Sequence, residues 1–343
     1  MLRTIAYQDI DDKCLLLDVR SPGEYQDSTI PGAVSLPLFS DAERKLIGTV
    51  YTQESKEKAK RIGIDLVGRK LISLYDKIQE YRKLKKKLVV FCARGGMRSG
   101  SLCALFNSLN IPLWQLEGGY KAYRQTVCSQ MPKLHKKIKY LVLHGYTGTG
   151  KTELLYKLAE KGFNILDLEG AANHRGSIFG SLGLGRQNSQ KTFESIIYHQ
   201  LLDRKSDFVF IEAESRKIGH ACLAGELYES MQNGLHILVE APLELRAARL
   251  VKEYIKTPKS KDEVLELLSR LKVNLGEKKI KLLQQLLWDD KYQEIAYILI
   301  NDYYDPLYRH KQREYKYDLV VNTADLDECV KGIADWMAKA PLD

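Results

Sequence analysis

Cys92 stands in the stretch VVFCARGGMRSGS (89–101), with Arg94 and Arg98 beside it and no second cysteine within reach. A metal ligand needs partners, and a structural cysteine prefers an apolar shell; this one opens a loop of glycines and arginines. Backbone N–H groups of 93–98 can converge on its sulfur, and the positive end of a following helix favours the anion. An ordinary thiol with a pKa of about 8.5 is roughly 3% ionised at pH 7, whereas a pKa of about 6 makes it roughly 90% thiolate. Such a thiolate suits a nucleophile that carries a transferable atom or meets an anionic donor. The pattern nominates Cys92, Arg94 and Arg98 as one catalytic group. The plainer alternative is an inert cysteine at a strand end.

A second constellation follows fifty residues later. Gly145-Tyr-Thr-Gly148-Thr-Gly150-Lys151-Thr152 fits G-x4-G-K-[ST] without a mismatch, with an apolar strand before it and a helical pattern after it. Glycines let backbone N–H groups turn inward around a phosphate, and the helix N-terminus adds its dipole. Lys151 can neutralise a terminal phosphate, and Thr152 can hold Mg²⁺. The run FVFIE ends in Glu212, where nucleotide hydrolases usually place an Asp for the metal; Glu214 and Arg216 follow closely. In PLELRAARL, Arg246 and Arg249 are three apart, a spacing able to clamp a diphosphate, or simply a pair of solvated helix charges. The loop specifies a phosphate-bearing ligand, not ATP in particular.

The elements that must position these groups read as two α/β units. CLLLD and LVVFC are buried strands, SGSLCALFNSL has the period of an amphipathic helix, and PLWQLEGGYKAYR gives a strand, a Gly-Gly turn and a helix. Strands alternating with helices predict a parallel sheet for 1–131, with a charged helical insertion near 41–87. The pattern restarts at KYLVLHG (139–145), with further strands expected at 164–168, 207–212, 236–241 and 318–323. A helical stretch of roughly 243–300 interrupts the last two. The segment PKLHKKIK (132–139) reads as a basic linker ahead of a P-loop NTPase/kinase-like domain over 140–343.

The chain has 343 residues, 44% of them hydrophobic and 28% charged, which is ordinary for a globular protein of about two domains. No apolar run approaches a membrane span, and the N-terminus lacks the apolar core of a signal peptide. The six cysteines are scattered without a CxxC pair, which argues against zinc and a disulfide framework and for a reducing cytoplasm. Cys14, Cys103, Cys222 and Cys329 read as core. Of the net charge of +9, residues 1–131 carry +7, and 140–343 carry −2. That imbalance suits a polyanionic partner or a solvated surface equally.

The segments DVRSPGEY, IPGAVSLPL, CARGGMRS and LEGGYKAYR, in this order, resemble a rhodanese domain. A rhodanese domain followed by a P-loop domain resembles the tRNA 2-selenouridine synthases, and LEGAANHRGSIFG, GLGRQNSQKTFE, IEAESRKIG and YYDPLYRH look like segments of that family. The resemblance implies transfer of a geranyl group from geranyl diphosphate to the sulfur of 2-thiouridine at the tRNA wobble position. Replacement by selenium from selenophosphate then follows. It makes Cys92 the selenium-handling residue and gives the P-loop the diphosphate of the geranyl donor, with Mg²⁺ an expected companion. It also implies a selenophosphate-supplying enzyme as a partner and puts Asn173, His174 and Arg175 in a polar loop able to meet substrate. The sequence departs from the family pattern at Ala93, where an aromatic is expected, and at Ala213, where an acid is expected.

A tRNA partner calls for basic surfaces and aromatic platforms. Candidates are the lysines of 83–87 and 133–139, KTPKSK (256–261) and YRHKQREYKY (308–317). Two other readings keep the same folds. One is an NTP-dependent sulfurtransferase or small-molecule kinase with a regulatory rhodanese module. The other is a non-enzymatic docking module for a sulfur carrier.

Overall fold

Five short segments of the N-terminal unit are rich in β-branched and aliphatic residues, and they pair as a parallel sheet. They are β1 (Arg3–Ile5), β2 (Cys14–Asp18), β3 (Val34–Ser35), β4 (Lys87–Phe91) and β5 (Leu113–Leu116), in the spatial order β1-β5-β4-β2-β3. In the computed structural model, which describes residues 2–85, 87–177, 180–181, 183–255, 261–307 and 315–339, every pairing of this sheet is parallel. Parallel strands are covered on both faces and so read as continuous apolar runs. β4 shows why: Leu88, Val89, Val90 and Phe91 are all buried. The expected insertion forms three helices, Asp41–Gln53, Lys56–Gly68 and Leu71–Leu84. Leu74 and Ile78 of the third pack into the same core as Leu17, Val90, Cys92 and Phe106.

The chain divides into one unit of residues 1–131 with 194–196 and a second of 132–193 with 197–343. The segment expected as a linker is partly helical, because Pro132 lies within helix Gly119–His135, and β6 starts at Lys139. Proline in a helix interior removes one hydrogen bond but does not have to end the helix.

The second sheet comprises β6 (Lys139–His144), β7 (Ile165–Leu166), β8 (Phe208–Glu212), β11 (Leu235–Glu240) and β12 (Leu319–Asn322), in the order β12-β11-β6-β8-β7. All its pairings are parallel. A two-strand antiparallel ribbon, β9 (Lys217–Ile218) with β10 (Ala221–Cys222), follows β8. β6 is central. The chain moves from it to β7 and β8 on one side, then crosses to β11 and β12 on the other, so the strand order reverses at its carboxyl end. Ligand sites of open α/β sheets lie at such reversals. Helices Leu243–Ile255, Lys261–Arg270, Lys272–Leu275, Glu277–Trp288 and Tyr292–Leu299 fill the interval between β11 and β12. Leu268, Leu283, Leu287 and Leu299 give them a core of their own.

Cys103 and Cys329 are buried, as expected; Cys14 is half-buried, and Cys222 is exposed on β10. A two-residue ribbon strand has no covering layer, so the apolar reading of Cys222 does not hold. Among the described residues, no helix is long and apolar enough to cross a membrane. Most of KTPKSK and of YRHKQREYKY lies outside the described residues.

Candidate active site

Cys92 follows the last residue of β4, at the carboxyl edge of the first sheet, and helix Met97–Ser108 begins five residues later. The side chain is 3% exposed. Burial opposes ionisation. The Ser99 hydroxyl and the amides of Ser99, Arg94 and Gly96 outweigh it, and together they hold the thiol below its ordinary pKa. Ser99 Oγ donates to Cys92 Sγ across 3.2 Å and accepts from Gln115 Nε2 at 2.9 Å. Gln115 also donates to the Gly95 carbonyl at 2.7 Å, so one buried amide on β5 ties down the loop and orients the hydroxyl. Cys103, one helical turn beyond Ser99, is the internal control: burial without such donors pushes its thiol up to about 12.

Gly119 fixes the loop from behind. Its φ is +58°, and a Cβ there would lie 2.3 Å from the Cys92 carbonyl oxygen. That close approach lets the amides of Tyr120 and Lys121 donate to the carbonyls of Cys92 and Ala93, both at 2.9 Å. Arg94 contributes its amide, while its side chain is exposed. Arg98 makes a two-pronged ion pair with Glu24, with Nη1–Oε2 at 2.7 Å. Burial of Glu24 opposes its ionisation, but the Arg98 guanidinium holds its carboxyl below the usual range. Hence hydroxyl and amide hydrogen bonds, not the arginines' charges, lower the pKa of Cys92, and Arg98 joins the loop's helix to helix Pro22–Asp27. Ser99, Gln115 and Glu24 escaped the sequence reading. A glutamine inside the otherwise apolar LWQL was the one signal available.

The second site lies at the carboxyl end of β6. Gly148 has φ +78°, and a Cβ there would meet the Arg246 backbone at 2.7 Å, so only glycine lets the loop pass. Lys151 Nζ donates to the carbonyl of Gly145 at 3.0 Å. A cavity of about 290 Å³ is lined by Gly148, Gly150, Lys151, Thr152, Arg175 and Glu212, among others. Ligand oxygens of Glu169, Glu212 and Glu214, which also face this cavity, lie within 4.8 Å of one another. Three carboxylates beside a threonine hydroxyl form a hard-oxygen set that fits Mg²⁺. Glu169 was not singled out in the sequence, because only the fold brings it to Glu212.

The remaining candidates divide by position. Arg246 is buried, pairs with Asp305 (Nη1–Oδ2 3.0 Å) and donates to the Thr147 carbonyl at 2.9 Å. Arg249 donates to the Thr149 carbonyl at 3.0 Å and to Thr323, yet also lines the cavity. Both therefore brace the phosphate loop. Arg175 lines the cavity, whereas Arg216 stacks on Tyr228 at 4.6 Å. Asn173 closes a helix with φ +50° and donates to the carbonyls of Leu184 and Arg186, both at 2.8 Å. His174 accepts from the Gly176 amide at 3.2 Å, and burial holds its pKa down.

Comparison with known proteins places this chain in a family. A family model described as the tRNA 2-selenouridine synthase AAA domain matches residues 138–340, and the rhodanese-like domain matches 3–126. The tRNA 2-selenouridine synthase of Pseudomonas syringae pv. tomato is 30% identical over 332 residues, which cover 88% of this chain and 89% of that protein. That of Nitrosomonas europaea is 34% identical over 251 residues, 71% of this chain and 64% of that protein. Among solved structures, a shikimate kinase from Acinetobacter baumannii aligns with 62% of this chain and 99% of its own, at 19% identity and a TM-score of 0.31. With a cysteine loop of rhodanese type and a phosphate loop on one polypeptide, and with matches across nearly its whole length, the chain belongs to the tRNA 2-selenouridine synthase family.

Proposed function

We propose that this protein converts 2-thiouridine at the tRNA wobble position to 2-selenouridine in two half-reactions. In the first, the thiouridine sulfur attacks C1 of geranyl diphosphate: a carbon–sulfur bond forms, the carbon–oxygen bond breaks, and diphosphate leaves. In the second, a carbon–selenium bond replaces the C2–sulfur bond. Geranylthiol leaves, and selenophosphate, with water, ends as phosphate.

The observation that carries this reading is the pairing, in one chain, of a buried thiol whose pKa is lowered by Ser99 and the loop amides with a loop built for phosphate. Amides of 145–152 and the Lys151 ammonium would receive the diphosphate, the group on which negative charge accumulates as it leaves. Glu169, Glu212, Glu214 and Thr152 would hold Mg²⁺, which supplies charge neutralisation for that leaving group. Arg175, on the same cavity, adds a fixed cation. At the other site the Ser99 hydroxyl and the amides of Ser99, Arg94 and Gly96 lower the pKa of Cys92, the residue assigned to the exchange of sulfur for selenium.

The test incubates the protein with thiolated tRNA, geranyl diphosphate and selenophosphate, omitting each in turn, and digests the tRNA for mass spectrometry. The expected result is geranylthiouridine without selenophosphate, selenouridine with all three, and neither product without geranyl diphosphate. ATP turnover in the absence of tRNA, with no modified nucleoside, would favour a small-molecule kinase instead.

A further inference from the structure

The rhodanese unit holds a cavity of about 830 Å³ beside the Cys92 loop, a volume typical of small-molecule sites. The insertion helices supply Ile47, Ala59 and Ile64 to one wall; Gly96, Met97 and Leu105, from the loop and helix that follow Cys92, supply the other. Without the insertion this face of the loop would be open. Polar groups on the wall are few and largely engaged: Gln115 is bonded to Ser99 and Gly95, and Arg98 is paired with Glu24. The wall thus suits neither a phosphate nor a nucleobase edge. Several large apolar side chains on it stay exposed, among them Ile64 at 74%, Met97 at 58% and Leu105 at 37%. A predominantly apolar lining around a cavity of this volume is the usual character of a small-molecule site.

We propose that this cavity receives the prenyl chain of the S-prenylated thiouridine, holding the sulfur-bearing carbon at the Cys92 loop for exchange with selenium. The inference rests on the function proposed above. Once diphosphate has left, the apolar chain is the feature that distinguishes the prenylated nucleoside from the unmodified one. A cavity that recognises the chain confines selenium exchange to nucleosides that already carry a leaving group. The helical insertion is then a selectivity device attached to the sulfur-handling fold.

The test measures binding of anticodon stem–loops carrying S-methyl, S-dimethylallyl or S-geranyl 2-thiouridine to the full chain by fluorescence anisotropy, which needs no chemistry. Burial of each added methylene favours the longer chain, so S-geranyl RNA should bind at least about tenfold more tightly than S-methyl RNA. Ala59→Phe, which fills the cavity, and Ile64→Gln, which makes an exposed wall position polar, should each flatten this series. Ile64 is exposed, so its substitution does not threaten the fold. Equal affinity of the wild type for the three RNAs overturns the proposal even if selenouridine forms normally; so does an unchanged series in both variants. Strong chain-length dependence with no selenium incorporation would uphold the cavity and count against the proposed reaction instead.

Discussion

Ser99 Oγ donates to Cys92 Sγ across 3.2 Å, and the same oxygen accepts from Gln115 on the neighbouring strand. One hydroxyl therefore has its direction fixed by an amide and spends its proton on a buried sulfur. Hydrogen bonds to an anion lower its pKa more as the surroundings become drier.

The first prediction concerns that relay. Alkylation of Cys92 by iodoacetamide should rise with pH about a midpoint below that of an ordinary thiol. Ser99→Ala should move the midpoint up, because it removes the leading opponent of burial, and should slow alkylation at pH 7 severalfold. Gln115→Leu should move it in the same direction by less. Unchanged midpoints in both variants would detach the relay from the acidity of Cys92.

Gly119 supplies the second. A Cβ at this position meets the carbonyl of Cys92 and the amide of Gly95, and the backbone is left-handed. Gly119→Ala should cost about 2 kcal/mol or more in urea unfolding, well above an exposed glycine-to-alanine change. The same variant should slow alkylation of Cys92 at fixed pH, since the loop has to shift.

The acidic trio gives a third expectation. Glu212→Gln should reduce the gain in diphosphate affinity that Mg²⁺ provides by at least about tenfold, as read by calorimetry with and without the metal. Diphosphate binding in the absence of metal should weaken little or improve, because a negative charge has been removed.

Acid should loosen the second unit. Burial holds His135 down to about 4, and burial with nearby His236 and Lys151 holds His144 down to about 3. Both values are depressed, so the unfolded chain takes up protons first as pH falls below about 6.5. Stability is therefore full above that pH and is lost progressively towards pH 4 and below. The melting temperature should fall across this window, and His135→Gln, which can still bond to the Tyr140 hydroxyl, should shallow the slope.

Sequence and structure meet where local chemistry is strong. The apolar run of β4 stops at Cys92 and glycines follow, so the strand–loop–helix was legible from residue types alone. The same holds for β6, the phosphate loop and helix Lys151–Glu160. β1, β3 and the ribbon strands β9 and β10 were not expected: each has only two or three residues, and none sits in a longer apolar run of the kind that announced β7. Ser99 and Gln115 are sixteen residues apart, and Glu169 lies far from Glu212 along the chain; only parallel pairing brings each set together. The sequence nominates Arg98 for the Cys92 catalytic group and Arg246 for a diphosphate clamp; in the structure both are engaged in ion pairs. Their carboxylate partners, Glu24 and Asp305, are distant in the chain, and no local pattern announces them.

The proposed function assigns prenyl transfer to the phosphate loop and selenium transfer to Cys92. The most direct measurement is nucleoside mass spectrometry of thiolated tRNA after reaction with Cys92→Ala and with Lys151→Ala under identical conditions. Cys92→Ala should accumulate geranylthiouridine and form no selenouridine, while Lys151→Ala should form neither. Normal selenouridine from the cysteine variant, or normal geranylation from the lysine variant, would contradict the account.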